Sequence, residues 1–321
     1  ADLPRPYATP SARNSAYMVP SPPGVSLRVP TGFRATVFAD GLSHPRNLVV
    51  AADGTVYLAQ SREGEVTLLR DTDGSGTADV IAPFIVGQSL PHGLALRDGY
   101  LYVADSDYVR RFVIDDALAP MKTDVGAVLT GRGDFGSPGG HWTRNLALSP
   151  DGASMYVAIG SASNVSPELA PRATVQVFED GRQRTFTSGL RNPVGIAVYP
   201  GTNDIYVVVN ERDGLGDELV PDYLTRISDG DFFGWPYAYT GSNPQPGLGA
   251  QRLDLVAQSK VPDVLFQSHS APLGLVFYDG AQFPAEFHGD AFVALHGSWN
   301  AAEPRGYMVA RVPFENGRPL G

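Results

Sequence analysis

Cysteine is absent from all 321 residues, which excludes disulfides, thiolate metal sites and cysteine nucleophiles. No apolar run reaches the ~18 residues that a membrane-spanning helix needs, so no membrane span is expected. Blocks of Lys or Arg are missing and the net charge is −10, a surface that offers little to nucleic acid or to an anionic membrane. Catalytic signatures are sparse as well. There is no Gly-x-Ser-x-Gly elbow for a serine hydrolase, no glycine-rich strand-to-helix turn for a nucleotide, and no His-x-His or His-Glu-x-x-His spacing for zinc. The first residues, ADLPRP, lack the basic and apolar regions of a signal peptide, which suits an exported chain after processing and a cytosolic chain equally.

Apolar residues make up 43% of the chain, enough for a substantial core, and 36 Gly with 27 Pro favour frequent turns over long helices. Five segments share one layout of polar entrance, apolar strand, turn and second apolar strand. They are SHPRNLVVAADGTVYLAQS, LPHGLALRDGYLYVADS, HWTRNLALSPDGASMYVAIGS, LRNPVGIAVYPGTNDIYVVVNE and SAPLGLVFYDGAQFPAEFHGDAFVALHGS. Aligned on Leu48, Leu94, Leu146, Ile196 and Leu275, they are spaced by 46, 52, 50 and 79 residues. Short β-branched or aromatic strands joined by Asp-Gly-type turns, at a period of roughly 50, indicate an all-β chain of the β-propeller type. A β-sandwich does not require one hairpin to recur in the same phase five times. The long interval contains residues 240–263, TGSNPQPGLGAQRLDLVAQSKVPD, expected as a surface loop inserted into a propeller domain of residues 31–321. Residues 1–30 carry seven prolines and are expected as an extended N-terminal wrap. A sixth repeat would begin just past the last residue. The spacing therefore predicts five blades, of a five-bladed ring or of a six-bladed one without the C-terminal part of its last blade.

In a propeller the innermost strand of each blade lines the central channel, so residues in the same phase converge on one mouth. That phase holds His44, Arg46 and Asn47; His92; His141, Arg144 and Asn145; Arg191 and Asn192; and His269 with Ser270. The exits of the second strands add Arg62, Asp105, Asn210, Glu211, Arg212, Asp213, His296, Ser298 and Trp299. Capping of strand ends is the plain alternative for any one of them. Together they describe a histidine base beside arginines and asparagines, suited to binding an oxyanion or polycarboxylate and to removing a hydroxyl proton.

Two acidic stretches suit calcium. DTDGSGTAD places Asp71, Asp73, Ser75, Thr77 and Asp79 at alternate positions as in an EF-hand loop, but Ala82 stands where the bidentate glutamate belongs. An Asx-rich turn is the other reading. NERDGLGDE supplies Glu211, Asp213, Asp217 and Glu218, with backbone carbonyls beside them.

The stretches SGLRNPVGIAVYPG, VVNERDGLGDELVPDYL and FFGWPYAYTG, with GGHWTRNLALSPDG, HSAPLGLVFYDG and FVALHGSWN, resemble the soluble pyrroloquinoline quinone (PQQ)-dependent aldose sugar dehydrogenases, and among them the L-sorbosone dehydrogenase branch. The family is six-bladed. The resemblance implies His141 as catalytic base, and Arg191 with Asn192 on the quinone oxygens and carboxylates. It also implies a PQQ-bound calcium held by backbone carbonyls of Arg212, Asp213 or Gly214. His92 corresponds to a neighbouring pocket residue. Ser298 falls where some relatives carry a PQQ-binding lysine, with Trp299 or His296 as substitutes. The activity implied is PQQ- and calcium-dependent oxidation of an aldose or sugar aldehyde in the periplasm or outside the cell, with an external acceptor such as a cytochrome or quinone. Two other readings stand beside it: a calcium-dependent lactonase-type propeller, and a non-enzymatic propeller serving as a binding platform.

Overall fold

The strand Ile205–Asn210 shows how these sequences build the core. Successive side chains of a strand point to opposite faces, and a strand buried on both faces reads as an unbroken apolar run. Ile205, Val207 and Val209 enter one core with Ala147, Ala158 and Val175. Tyr206 and Val208 enter the next, with Phe277, Val293 and Val312. This strand is thus packed on both faces, and its hairpin alone could not bury its apolar surface.

The computed structural model describes residues 2–15, 17, 19, 20, 24–114 and 127–321. The fold is all-β, of the propeller type, with five blades in chain order. The chain forms two compact units: Ala16–Asp105 with Val109–Leu129, and Ala1–Ser15 with Ser106–Tyr108 and Thr130–Gly321.

The smaller unit holds two four-stranded antiparallel sheets. Blade 1 runs Pro45–Val50, Val56–Gln60, Glu65–Arg70 and Val80–Ile85; blade 2 runs Gly93–Arg97, Tyr100–Ala104, Val109–Val113 and Ala127–Val128. Tyr57, Val66, Phe84, Leu101 and Phe112 share one buried cluster between them. Phe38, Ala39 and Leu42 cover Val56, Leu58 and Leu69 on the other face of blade 1. Leu94 is buried as its phase requires, whereas Leu48 is 51% exposed.

The larger unit holds three blades. Blade 3 runs Arg144–Leu148, Ser154–Ile159, Thr174–Glu179 and Arg182–Ser188, extended in parallel by Asp231–Phe232. Blade 4 runs Asn192–Val198, Ile205–Asn210, Pro221–Ile227 and Val264–Ser268. Blade 5 runs Pro272–Phe277, Ala291–Leu295 and Met308–Val312. The first strand of blade 4 lies against the first strands of blades 3 and 5, so their polar entrances are neighbours. A small hairpin, Phe314–Glu315 with Arg318–Pro319, follows blade 5 and stacks Phe314 on Tyr199 at 5.5 Å.

The expected insertion is more ordered than a plain loop. It carries Asn243–Pro244, paired with Ala238–Tyr239, and a helix Leu253–Gln258 that buries Val256. The N-terminal extension divides. Residues 2–15 belong with blades 3 to 5, and no strand occurs among the described residues before Pro45. Among the described residues no helix is long and apolar enough to cross a membrane.

Candidate active site

The entrance GGHWTRN is organised around two buried arginines. Arg144 is fully buried; its Nη1 donates to the carbonyls of His141 at 2.8 Å and Thr143 at 2.9 Å. Arg172 donates from Nη1 to Ser137 O at 2.8 Å and from Nη2 to Gly139 O at 2.6 Å. The loop before blade 3 is therefore gripped through its carbonyls. Burial, and then the nearby charge of Arg172, pull Arg144 down to about 9.

That grip fixes His141. Its backbone N–H donates to Ser161 O at 3.0 Å, and its Nδ1 lies 2.8 Å from the same carbonyl and 3.0 Å from Ser161 Oγ. A carbonyl only accepts, so Nδ1 carries the proton and Nε2 presents a lone pair. Nε2 has no hydrogen-bond partner among the described residues. Burial first, then the positive charge of Arg191, lowers this imidazole to about 4; the Ser161 carbonyl opposes them and Arg172 and Arg144 add to the fall. At neutral pH His141 is a neutral base. Beside it, Asn192 Oδ1 is buried without a partner. A Cβ at Gly160 would lie 2.6 Å from His141 Cβ and would also meet Asn192 Oδ1, so only glycine leaves this corner open.

Arg191 ties the base to the loop after blade 4's second strand. Its backbone carbonyl accepts the Ser161 N–H at 2.7 Å. Its guanidinium donates from Nε to Asn164 O at 3.0 Å, from Nη1 to Glu211 O at 2.7 Å and Asn210 O at 3.4 Å, and from Nη2 to Asn164 Oδ1 at 2.9 Å and Asp213 Oδ2 at 3.4 Å. All five donors are engaged within the protein. Asn164 completes the knot: its Oδ1 also accepts the Asp213 N–H at 2.9 Å and its Nδ2 donates to Asp213 O at 3.1 Å.

Glu211 in the same loop and Asp222 on the strand that follows it are buried carboxylates. Desolvation raises both to about 7 against the hydrogen bonds that each accepts. Asp222 receives the Glu211 and Ala271 N–H groups, both at 2.8 Å, while Glu211 Oε1 has no partner.

A cavity of about 250 Å³ opens beside this loop, lined by Ser11, Ala12, Arg13, Asp213, Gly214, His269, Trp299 and Asn300. Asn300 Nδ2 donates to Asp213 Oδ1 at 2.8 Å and lies 3.1 Å from His269 Nδ1. His269 Nε2 lies 3.1 Å from Gly216 O, so Nε2 is the protonated nitrogen and Nδ1 the acceptor.

The structure thus brings together His141, Arg191, Asn192, Arg212, Asp213, Gly214 and Trp299. Five details bear on the expected roles. Arg191, expected on the cofactor oxygens, is committed to five protein acceptors. Of the three carbonyls expected on calcium, that of Asp213 already accepts Asn164 Nδ2 and, at 2.8 Å, Arg212 Nε; those of Arg212 and Gly214 carry no hydrogen bond from the described residues. Ser298 is buried in a turn, its N–H donating to Arg305 O at 2.9 Å and its Oγ accepting Arg305 N–H at 3.0 Å. His296 is exposed, its Nδ1 3.2 Å from Gly297 O. His92 is buried in the smaller unit, at the entrance of blade 2, where its N–H donates to Ala104 O at 2.9 Å.

In DTDGSGTAD the carboxylates serve the loop itself. Asp71 accepts the N–H groups of Gly74, Ser75 and Gly76; Asp73 accepts that of Ser75; Asp79 accepts that of Thr72. These are Asx-type turns, and the side chains of Ser75 and Thr77 also bond within or beside the loop. Among the described residues no three His, Asp or Glu side chains gather as a metal cluster.

Sequence reading missed Asn164 and Asn300. Asn164 follows the second strand of blade 3, the same exit position that drew attention to residues 210–213 in blade 4. Asn300 is one residue past the Ser298–Trp299 pair.

A family model described as TrAA12-like matches residues 27–246 and 250–321. A PQQ-dependent pyranose dehydrogenase of Coprinopsis cinerea is 25% identical over 340 residues covering 91% of this chain; the chain spans 45% of that protein, less than half its length. The holo form of the Coprinopsis cinerea pyranose dehydrogenase PQQ domain superposes with a TM-score of 0.74 at 22% identity, covering 93% of this chain and 83% of its own. A calcium structure of the Trichoderma reesei carbohydrate-active enzymes family AA12 gives a TM-score of 0.74 at 21% identity, covering 100% and 85%. These likenesses show a shared fold, and the family match runs over nearly the whole chain: the protein belongs to the TrAA12-like family.

Proposed function

We propose that the protein is a PQQ- and calcium-dependent dehydrogenase that oxidises an aldose or sugar aldehyde and passes the electrons to an external acceptor such as a cytochrome or quinone. The residues present fit such a group. Asn192 Oδ1 is a buried acceptor without a partner, the Arg212 and Gly214 carbonyls are hard oxygen donors of the kind calcium takes, and Trp299 offers an aromatic wall to a planar ring. The cavity of about 250 Å³ is small for a cofactor, which suits a flat ligand held by its edge with the other face toward substrate.

PQQ and calcium, held by Asn192, Trp299 and the Arg212 and Gly214 carbonyls, would supply a hydride acceptor and a Lewis acid for oxidation at C1 of the sugar. The chain's own part is proton transfer and orientation. His141 Nε2 takes the proton of the C1 hydroxyl, and the Nδ1–H bond to Ser161 O keeps the imidazole in the accepting tautomer and stabilises the imidazolium that forms. Arg144 and Arg172 hold the backbone that carries His141. Arg191 holds the 211–213 backbone, and burial of the base, together with the positive charge of Arg191 beside it, leaves it unprotonated at neutral pH.

The observation that carries this reading is His141: one nitrogen pinned to a carbonyl, the other open, and the ring neutral. The lactonase reading calls for a carboxylate-rich metal centre, and the described residues supply none. The test is titration of the protein with PQQ and calcium, read by PQQ absorbance, followed by turnover with aldoses. Saturable, calcium-dependent binding is expected, and His141→Gln should keep PQQ affinity within several-fold while lowering turnover by ~10²-fold or more. No PQQ binding by the parent chain would reject the assignment; turnover of His141→Gln within a factor of about three of the parent would reject His141 as the base.

A further inference from the structure

Residues 7–14 cross the loop that carries Asp213 and Gly214, and they are seated there by specific bonds. Tyr7 N–H donates to Leu215 O at 2.8 Å, Asp217 N–H to Thr9 Oγ1 at 2.9 Å, and Gly216 N–H to Ser11 Oγ at 3.0 Å. Asp217 clamps two segments at once: Oδ1 accepts Ala12 N–H at 2.8 Å and Oδ2 accepts Ala302 N–H at 2.7 Å. Asn14 N–H reaches Trp299 O at 2.8 Å. The strap passes so close that a Cβ on Gly216 would lie 2.6 Å from Thr9 O. Its position is set by the loop, and the loop's by the strap.

The consequence is that Ser11, Ala12 and Arg13 line the cavity together with Asp213 and Asn300. The cationic groups deeper in the site already have acceptors. Arg191 has all five donors engaged, and Arg212 donates from Nε to Asp213 O at 2.8 Å and from Nη1 to Gln245 Oε1 at 3.4 Å. The Asp213 carboxylate is satisfied by Asn300 and Arg191. Arg13 differs from these: it is exposed and makes no hydrogen bond or ion pair among the described residues. It is the lining cation with its donors open.

We propose that Arg13, presented by the docked N-terminal strap, is a ligand-binding residue of this cavity, pairing with a carboxylate of a planar aromatic polycarboxylate seated against Trp299. The proposal rests on the PQQ reading above. A guanidinium meets a carboxylate through two parallel N–H bonds, and the strap supplies that fork without disturbing the internal ties of Arg191.

The test is equilibrium binding of PQQ with calcium to the parent, Arg13→Ala, Arg13→Lys and Arg13→Glu, alongside the melting temperature of each unloaded protein. Arg13→Ala should weaken PQQ about tenfold, Arg13→Glu about a hundredfold, and Arg13→Lys about threefold, as expected for loss of one charge-assisted pair. Unloaded melting temperatures should stay within about 1 °C, because an exposed, unpaired side chain carries little stability. Parent-like PQQ affinity in Arg13→Glu would overturn this proposal alone. A fall in affinity matched by a fall in unloaded stability would overturn it too, making Arg13 a brace of the strap. Absence of PQQ binding by the parent would instead reject the cofactor assignment and take this proposal with it.

Discussion

At the scale of single residues, His141 links stability to pH. Its imidazole falls from 6.5 to about 4 on folding, so the unfolded chain binds the extra proton between those values. The contribution is fully present above about pH 6.5 and is lost as pH falls toward 4; by pH 5 the loss amounts to about 2 kcal/mol. Urea unfolding of the parent and His141→Gln at pH 7.5 and pH 5 checks this. The parent should lose about 2 kcal/mol more than the variant over that interval, and equal losses would mean the imidazole is not held neutral by burial and Arg191. Glu211 and Asp222 have the opposite sign. Their carboxyls are raised to about 7, so their contribution is present below about pH 4 and is lost as pH rises through 7. Both groups are retained in the two variants and cancel in the comparison.

At the scale of elements, glycine separates backbone strain from strap displacement. Gly216 has φ +108° and no room for a Cβ, whereas Gly181, in the outer hairpin of blade 3, has φ +71° and open space around it. Alanine at either position costs roughly 1–2 kcal/mol of left-handed strain. Only Gly216→Ala should also lift residues 7–14, measured as faster proteolytic cleavage in that segment with Gly181→Ala as control. Equal cleavage in the two variants would mean the strap is not seated on Gly216. The contrast also shows why some elements were legible in the sequence and others were not. The hairpins of blades 3 and 4 announce themselves through period-two apolar runs and Asp-Gly-type turns, which depend on neighbours in sequence. The strap's seat depends on Thr9 and Ser11 hydroxyls meeting backbone N–H groups some 205 residues away. No local pattern encodes such a partner, and its prolines read only as extension. Leu48 shares the phase of Leu94 and Leu146 and yet is exposed, because phase does not specify what packs against a strand.

At the scale of the whole molecule, the repeat period carried the fold because an apolar strand buried on both faces needs a neighbouring blade on each, as Ile205–Asn210 illustrates. The candidate site was legible where it coincides with the strand entrances and exits that the repeat aligns, as for His141, Arg191, Asn192, Asp213 and Trp299; Asn164 and Asn300 lie just beyond such exits, and Arg13 lies outside the repeat. The side chains that the geometry assembles all come from the unit of Ala1–Ser15, Ser106–Tyr108 and Thr130–Gly321. Its blades share continuous cores through the two faces of blade 4. A ligand bound by the folded site and not by the unfolded chain stabilises it by about 2.7 kcal/mol at a hundred times its dissociation constant. Amides that exchange only through unfolding of this unit should slow by about a hundredfold on adding PQQ and calcium at that excess. The effect should be greatest in residues 7–14, 139–144, 211–217 and 299–302, where the strap, the His141 loop and the Asp213 loop are tied to one another. Hydrogen exchange read by mass spectrometry with and without both ligands measures this directly. Protection confined to the DTDGSGTAD loop would place the ion there and leave the PQQ site without support; unchanged exchange in residues 7–14, beside protection of 211–217, would show that the strap is a passenger on the loop it touches.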